Sequence, residues 1–242
     1  MRNLPIKFLP VVVVAALSAC ASTGAPPQPP APKPVLEDAR YAAVTDEPFN
    51  VPAVNLRQFD PEFRRQLVDD PTGEQPGTLV VDPENRFLYL VMADGKAMRY
   101  GVGVGRAGMA WSGTANVAYK REWPTWTPTQ NMIKRDPDTY QKWAGGMEGG
   151  PTNPLGARAL YLFEDGKDTL YRIHGTNEPW SIGQAMSSGC IRMMNQDVMD
   201  LYRRVPDGAK VVVLPATGQR GPAVGAENNQ RNGDRLKSAN PV

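Results

Sequence analysis

Two residues of this 242-residue chain stand out for the chemistry they offer: its single histidine, His174, and Cys190, sixteen positions further on. A thiol attacks as its thiolate, which near neutral pH requires a general base or a depressed pKa, and an imidazole is well suited to take the proton. The thiol lies within SSGCIRMMNQD, residues 187–197, where small polar residues and a glycine precede it. That run predicts a tight turn whose backbone N–H groups face a developing oxyanion, which favours acyl chemistry. Each residue alone says less. A lone cysteine is as readily an inert, buried small hydrophobe, and a lone histidine at a strand end a structural or solvated one.

The remaining cysteine, Cys20, follows a segment that reads as an export signal: Arg2 and Lys7, an apolar stretch from Phe8 to Leu17, then Ser18 and Ala19. The stretch is about half of the ~20 residues a membrane-spanning helix needs, and Pro10 interrupts it. Leu17-Ser18-Ala19-Cys20 resembles the lipobox of bacterial lipoproteins. That resemblance implies cleavage after residue 19, acylation of Cys20 and a periplasmic domain held to a membrane by its lipid anchor, with the choice of inner or outer membrane open. An ordinary signal peptide with an incidental cysteine is the alternative.

If Cys20 is acylated, Cys190 has no disulfide partner within the chain and no resolving thiol for redox work. One histidine and one mature cysteine are too few for a zinc site, and no metal or cofactor is expected. Removing residues 1–19 takes the formal net charge from +2 to zero. No basic block or aromatic-interleaved basic stripe occurs, so nucleic-acid binding lacks an electrostatic basis.

The elements that must position the pair are mainly β. Residues 20–36 join the lipidated cysteine to a Pro-rich spacer, and residues 37–75 form an N-terminal extension. Within the extension a short helix is expected, with Asp60 as N-cap, Pro61 at the first helical position and Phe63 and Leu67 on one face. From Gly77 short β-branched and aromatic runs alternate with turn residues: TLVVD, RFLYLV and KAMRYGVGV read as antiparallel hairpins. Further strands are expected at 115–120, 159–163, 170–174 and 210–214. One clear helix, 195–205, follows the thiol, with Asn195 as N-cap and Arg203 and Arg204 near its end. The tail, 216–242, is polar and aperiodic, with a disordered composition.

Residues 123–158 carry repeated Pro and Gly with Trp123, Trp126 and Trp143, a long loop of the kind that shapes a cleft or, equally, fills core with its aromatics.

IHGTNEP at 173–179, SIG at 181–183 and SSGCIRM at 187–193 together resemble the L,D-transpeptidase, or YkuD-like, catalytic domain, as do PGTLVVD, RYGVGVGR, WPTWTPT, GGPTNPLGARALYL and NQDVMDLYRRVP. The resemblance covers roughly residues 76–215. It implies a mixed β-sheet or sandwich fold with one or two short helices; a monomer is expected. It implies Cys190 as nucleophile, His174 as base and the Gly175 carbonyl as the group orienting the imidazole. Gly189 and Cys190 would supply oxyanion N–H groups, with Ser187, Ser188, Trp123 and Trp126 lining the substrate site. Arg192 would shape the site or meet a substrate carboxylate, or else serve in a supporting ion pair. Ser188 departs from the family pattern, which often has His there; a hydroxyl hydrogen-bonds but cannot carry positive charge.

The reaction implied is acyl transfer on peptidoglycan stem peptides, with D-alanine released and a 3→3 cross-link formed. Water or a protein lysine as acceptor would make the chain a carboxypeptidase or a protein-attachment enzyme. A wall-binding lipoprotein without turnover would need neither thiol nor imidazole.

Overall fold

The computed structural model describes residues 38–105, 111–187 and 189–216. The expectations for the export signal, Cys20, the spacer and Ser188 lie outside the described residues, as does the tail beyond Ala216.

Among the described residues, ten strands form one mixed sheet. In chain order they are β1 (Gln66–Asp69), β2 (Leu79–Asp82), β3 (Phe87–Val91), β4 (Lys96–Gly105), β5 (Gly113–Glu122), β6 (Arg158–Glu164), β7 (Lys167–His174), β8 (Ala185–Ser187), β9 (Ile191–Met193) and β10 (Lys210–Val213). The hairpins β2–β3, β3–β4, β5–β6 and β6–β7 are antiparallel. Parallel pairs β10–β2 and β7–β9 join them. Because β9 also pairs with β4, the path from β4 through β3, β2, β10, β5, β6 and β7 returns to its start, and the sheet closes. The fold is mainly β with few short helices, as the sequence implies.

Alternating residues of the closed sheet fill its interior: Leu79, Val81, Leu88, Val102, Val117, Leu160, Leu162, Ile173 and Ile191 pack together with Val198, Leu201 and Val205 from the helix side. That helix, α3 (Asn195–Arg204), starts one residue earlier than the expected Asn195 cap implies, with Met194 as N-cap and no side-chain cap bond. The Asn195 carboxamide is engaged elsewhere. Two short helices interrupt the aromatic loop, α1 (Gln130–Arg135) and α2 (Pro137–Tyr140), capped by Thr129 and Asp136.

β2 and β3 are buried along their whole lengths, which explains why they read as continuous apolar runs rather than alternating ones. Their second face, with Val80, Phe87, Tyr89 and Val91, packs on Tyr41, Leu56 and Phe63 of the N-terminal extension. The helix expected there is a single 3-10 turn, Pro61–Phe63, with Asp60 accepting from Glu62 N–H as its cap. It goes no further because residues 66–69 pair in register with β4, satisfying backbone groups in the sheet and leaving Leu67 exposed. Polar contacts fasten the same segment to α3. The Tyr41 hydroxyl donates to Asp197 at 3.1 Å and accepts from Arg65 N–H, while the Arg65 guanidinium meets Asp200 at 2.7 Å.

Phe63 is buried and its ring occupies the space directly over Gly183. Phe63→Ala is expected to cost about 3–5 kcal/mol of folding stability. The expected signature is a lower denaturant midpoint at an unchanged m value; an unaltered midpoint would mean the extension is not part of the core.

Candidate functional site

The parallel register of β7 and β9 sets Ile173 opposite Ile191 and His174 opposite Arg192. Both isoleucines face the sheet interior, so strand alternation turns His174, Arg172, Arg192 and, one residue before β9, Cys190 to the other face. The thiol and the imidazole are thus diagonal neighbours on adjacent strands, although sixteen residues separate them in the chain.

His174 is buried, and its Nδ1 lies 2.6 Å from the Gly175 carbonyl oxygen. A carbonyl only accepts, so Nδ1 carries the proton in this bond and Nε2 keeps its lone pair. Burial pushes the imidazole down to about 4, the charges of Arg192 and Arg172 push the same way, and the Gly175 bond opposes them. With the free value near 6.5, the unfolded chain binds more protons than the native state between roughly pH 6.5 and 4. His174 therefore lowers stability progressively as the pH falls through that window. At neutral pH it is an uncharged base.

The tight turn at 174–176 is held by Asn195. Its Oδ1 accepts from Ala157 N–H and its amide donates to the Thr176 carbonyl, each at 3.0 Å. A side chain at Gly175 would strike that carboxamide oxygen and Ala157 N, which accounts physically for glycine after the histidine. This positioning role was not read from the sequence, where Asn195 looks like a helix cap.

Cys190 is partly exposed. Its sulfur bonds weakly to the Leu170 carbonyl at 3.9 Å. Burial pushes the thiol above its ordinary range, against the pull of the Arg172 backbone N–H and the Arg172 and Arg192 charges. Leu170 itself has a left-handed backbone, φ 63°, at an irregularity where β7 carries extra residues opposite Leu162. Asp168 fixes that irregularity by accepting from Leu170 N–H and from the Arg172 guanidinium. Neither Leu170 nor Arg172 was singled out from the sequence; the local signal, a strand residue forced to positive φ, is visible only in the folded chain.

The turn before the thiol is stapled by Ser187, whose hydroxyl donates to the Cys190 carbonyl at 2.7 Å and accepts from Gly189 N–H at 3.1 Å. Ser187 is buried, its hydroxyl is engaged within the turn, and Gly189 N–H is directed at Ser187 Oγ. Arg192 forms an ion pair with Glu178 at 2.8 Å, just beyond the His174 turn.

The two tryptophans expected at the substrate site are placed differently from one another. Trp123, at φ 43°, donates its indole N–H to Glu47 of the extension at 2.9 Å and packs edge-on to Phe49. Trp126 pairs through its backbone with Met147 and sets its ring against Tyr140. Trp123 lines a groove that also includes Thr176, whereas the contacts of Trp126 stay within the aromatic loop.

A closed mainly-β domain, with a partly exposed thiol and a neutral, backbone-anchored imidazole on one sheet face, has the layout of an acyl-transfer domain. The chain belongs to the L,D-transpeptidase (YkuD) catalytic domain family, whose match spans residues 76–213. It is similar to the probable L,D-transpeptidase ErfK/SrfK of Escherichia coli K12, 35% identical over 141 residues, and to the probable L,D-transpeptidase YbiS of the same organism, 33% identical over 139 residues. Each alignment takes in 56% of this chain and 43% of the relative, so the chain spans under half the length of these relatives. A solved structure from Brucella melitensis, titled as a probable carnitine operon oxidoreductase, is 56% identical and covers 66% of this chain and 99% of its own, with a TM-score of 0.46.

Asn195→Ala removes both bonds that hold the His174 turn, worth about 1–3 kcal/mol. The expected kinetic result is a roughly tenfold or greater fall in kcat with KM little changed. A change confined to KM would assign Asn195 to substrate binding instead.

Proposed function

We propose that the chain is a peptidoglycan L,D-transpeptidase that forms 3→3 cross-links by two-step acyl transfer, working from the periplasmic side of a membrane to which acylated Cys20 tethers it. The observation that carries the reading is the Nδ1–H bond of His174 to the Gly175 carbonyl, which leaves Nε2 as a base on the sheet face that bears the thiol.

With the thiol raised and the imidazole lowered, the resting pair is neutral. Proton transfer therefore accompanies attack, as general-base catalysis, rather than preceding it. Cys190 Sγ attacks the carbonyl between the third-position diamino acid and the terminal D-alanine while Nε2 takes the thiol proton. The C–N bond then breaks, the proton passes to the departing amine, and a thioester remains. The side-chain amine of a second stem attacks the thioester, loses its proton through the same imidazole and returns the thiol. Negative charge on the tetrahedral oxygen falls to Cys190 N–H, since Gly189 N–H must first leave Ser187 Oγ to contribute. Arg192, held by Glu178, would receive a carboxylate of the stem by giving up that ion pair.

The test is mass spectrometry of muropeptides after incubation of the protein with tetrapeptide-containing muropeptides. Dimers with 3→3 linkage are expected from the wild type, none from Cys190→Ala, and at least a hundredfold fewer from His174→Ala, in line with the usual worth of a general base. Product from Cys190→Ala would overturn the assignment. Cysteine-dependent tripeptides without dimers would replace cross-linking by carboxypeptidase activity.

A further inference from the structure

Beside the His174 turn lies a groove of about 360 Å³, built from extension residues 50–55, 58 and 59, the Gly150–Pro151 loop, residues 176, 177, 179 and 180 and the start of α3. Not one Asp, Glu, Lys, Arg or His lines it, although 21% of the chain is charged. Its apolar lining includes three aromatic rings, Phe59, Trp123 and Trp180, beside Val51, Val54 and Met194. Trp180 leaves 62% of its surface exposed and sits on a 3-10 turn whose backbone is fixed by Ser181, which donates both N–H and hydroxyl to the Glu178 carbonyl.

The polar groups of the rim are carboxamides. Asn50 and Gln58 are exposed there. Asn55 uses Oδ1 to accept from Arg57 N–H, which leaves its NH2 to donate; Asn177 uses its NH2 on the Thr152 carbonyl, which leaves its oxygen to accept. An exposed indole among uncharged donors and acceptors suits a ligand with flat C–H faces, hydroxyls and amides and no net charge. That is the chemistry of an N-acetylated sugar. A free stem peptide, with its amine and carboxylates, would find no counter-charge in this groove.

We propose that this groove is a saccharide subsite, which seats neutral N-acetylated sugar rings of the glycan that carries the stem peptide, with Trp180 as the stacking platform. The proposal rests on the peptidoglycan reading above and deepens it. Residues 50–59 fall outside the family match at 76–213, so one wall of the subsite comes from the N-terminal extension rather than from the matched domain. Thr176 belongs both to the groove and to the turn held by Asn195. A seated glycan therefore lies next to the catalytic pair, where it holds its attached stem near the thiol and raises the local concentration of donor.

The test is calorimetric titration of the full chain with chitotetraose, a neutral N-acetylglucosamine oligomer without peptide. Saturable binding is expected, weakened about tenfold in Trp180→Ala and changed by less than about threefold in Trp180→Phe, with thermal midpoints unchanged because the side chain is exposed. Cys190→Ala should bind as the wild type does. Absence of saturable binding, binding indifferent to Trp180→Ala, or Trp180-dependent binding of a glycan-free tetrapeptide in place of the oligosaccharide would each overturn the proposal. The muropeptide assay separates the two readings. Cysteine-dependent turnover without chitotetraose binding removes the subsite alone, whereas Trp180-dependent glycan binding without turnover removes the transpeptidase reading and leaves the subsite standing.

Discussion

The site depends on the parallel pairing of β7 with β9. A parallel pair cannot be made by a hairpin, so the chain leaves His174, traverses the residues that carry Glu178, Trp180 and Ser187, and comes back alongside itself with Ile191 opposite Ile173. A slip of one residue would turn Arg192 and Cys190 inward and Ile191 out. The register is pinned because both isoleucines are fully enclosed by the core and because β9 is held on its other side by β4. Closure of the sheet thus sets the spacing of the His174 imidazole and the Cys190 thiol.

The backbone around the pair does much of the electrostatic work. The Gly175 carbonyl selects the imidazole tautomer, the Leu170 carbonyl accepts from the thiol, and the Arg172 N–H draws the sulfur toward its ionised form. The carbonyl-bearing residues are themselves fixed: Gly175 by its own N–H on the Arg158 carbonyl and, through Thr176, by the Asn195 carboxamide, and Leu170 by Asp168. Arg172 and Arg192 press the imidazole toward its neutral state and pull the thiol toward its anion, opposing the burial that raises the thiol. Support extends to the N-terminal extension, which covers the second face of β2 and β3 and reaches α3 through Tyr41 and Arg65.

Local signals carried much of the fold into the sequence. The apolar runs of β2, β3 and β4, the strands from β5 to β7, β10 and α3 each have a periodicity or boundary residue that can be read without knowing the partner. What could not be read is non-local. β9 is three residues long and owes its existence to β4 and β7. Tyr41 and Phe63 look like scattered aromatics until their partners on β3 and α3 are known. Cys190 and His174 were legible because each is chemically rare in this chain, and their shared sheet face follows only from the register. Asn195 carries a helix-cap signal that its tertiary contacts override, and the bonds of the Ser187 hydroxyl within the thiol's turn have no local signature. Trp180 gave no signal, since its meaning lies in the uncharged groove around it.

The central claim is that the fold presets a neutral imidazole with Nε2 free beside the thiol. As the chain has a single histidine, its ring nitrogens can be followed directly by 15N NMR across a pH titration. The account predicts a protonated Nδ1 and an unprotonated Nε2 at neutral pH, with ring protonation only near the lowered value of about 4. A proton on Nε2 at neutral pH, or titration at the free value near 6.5, would contradict it.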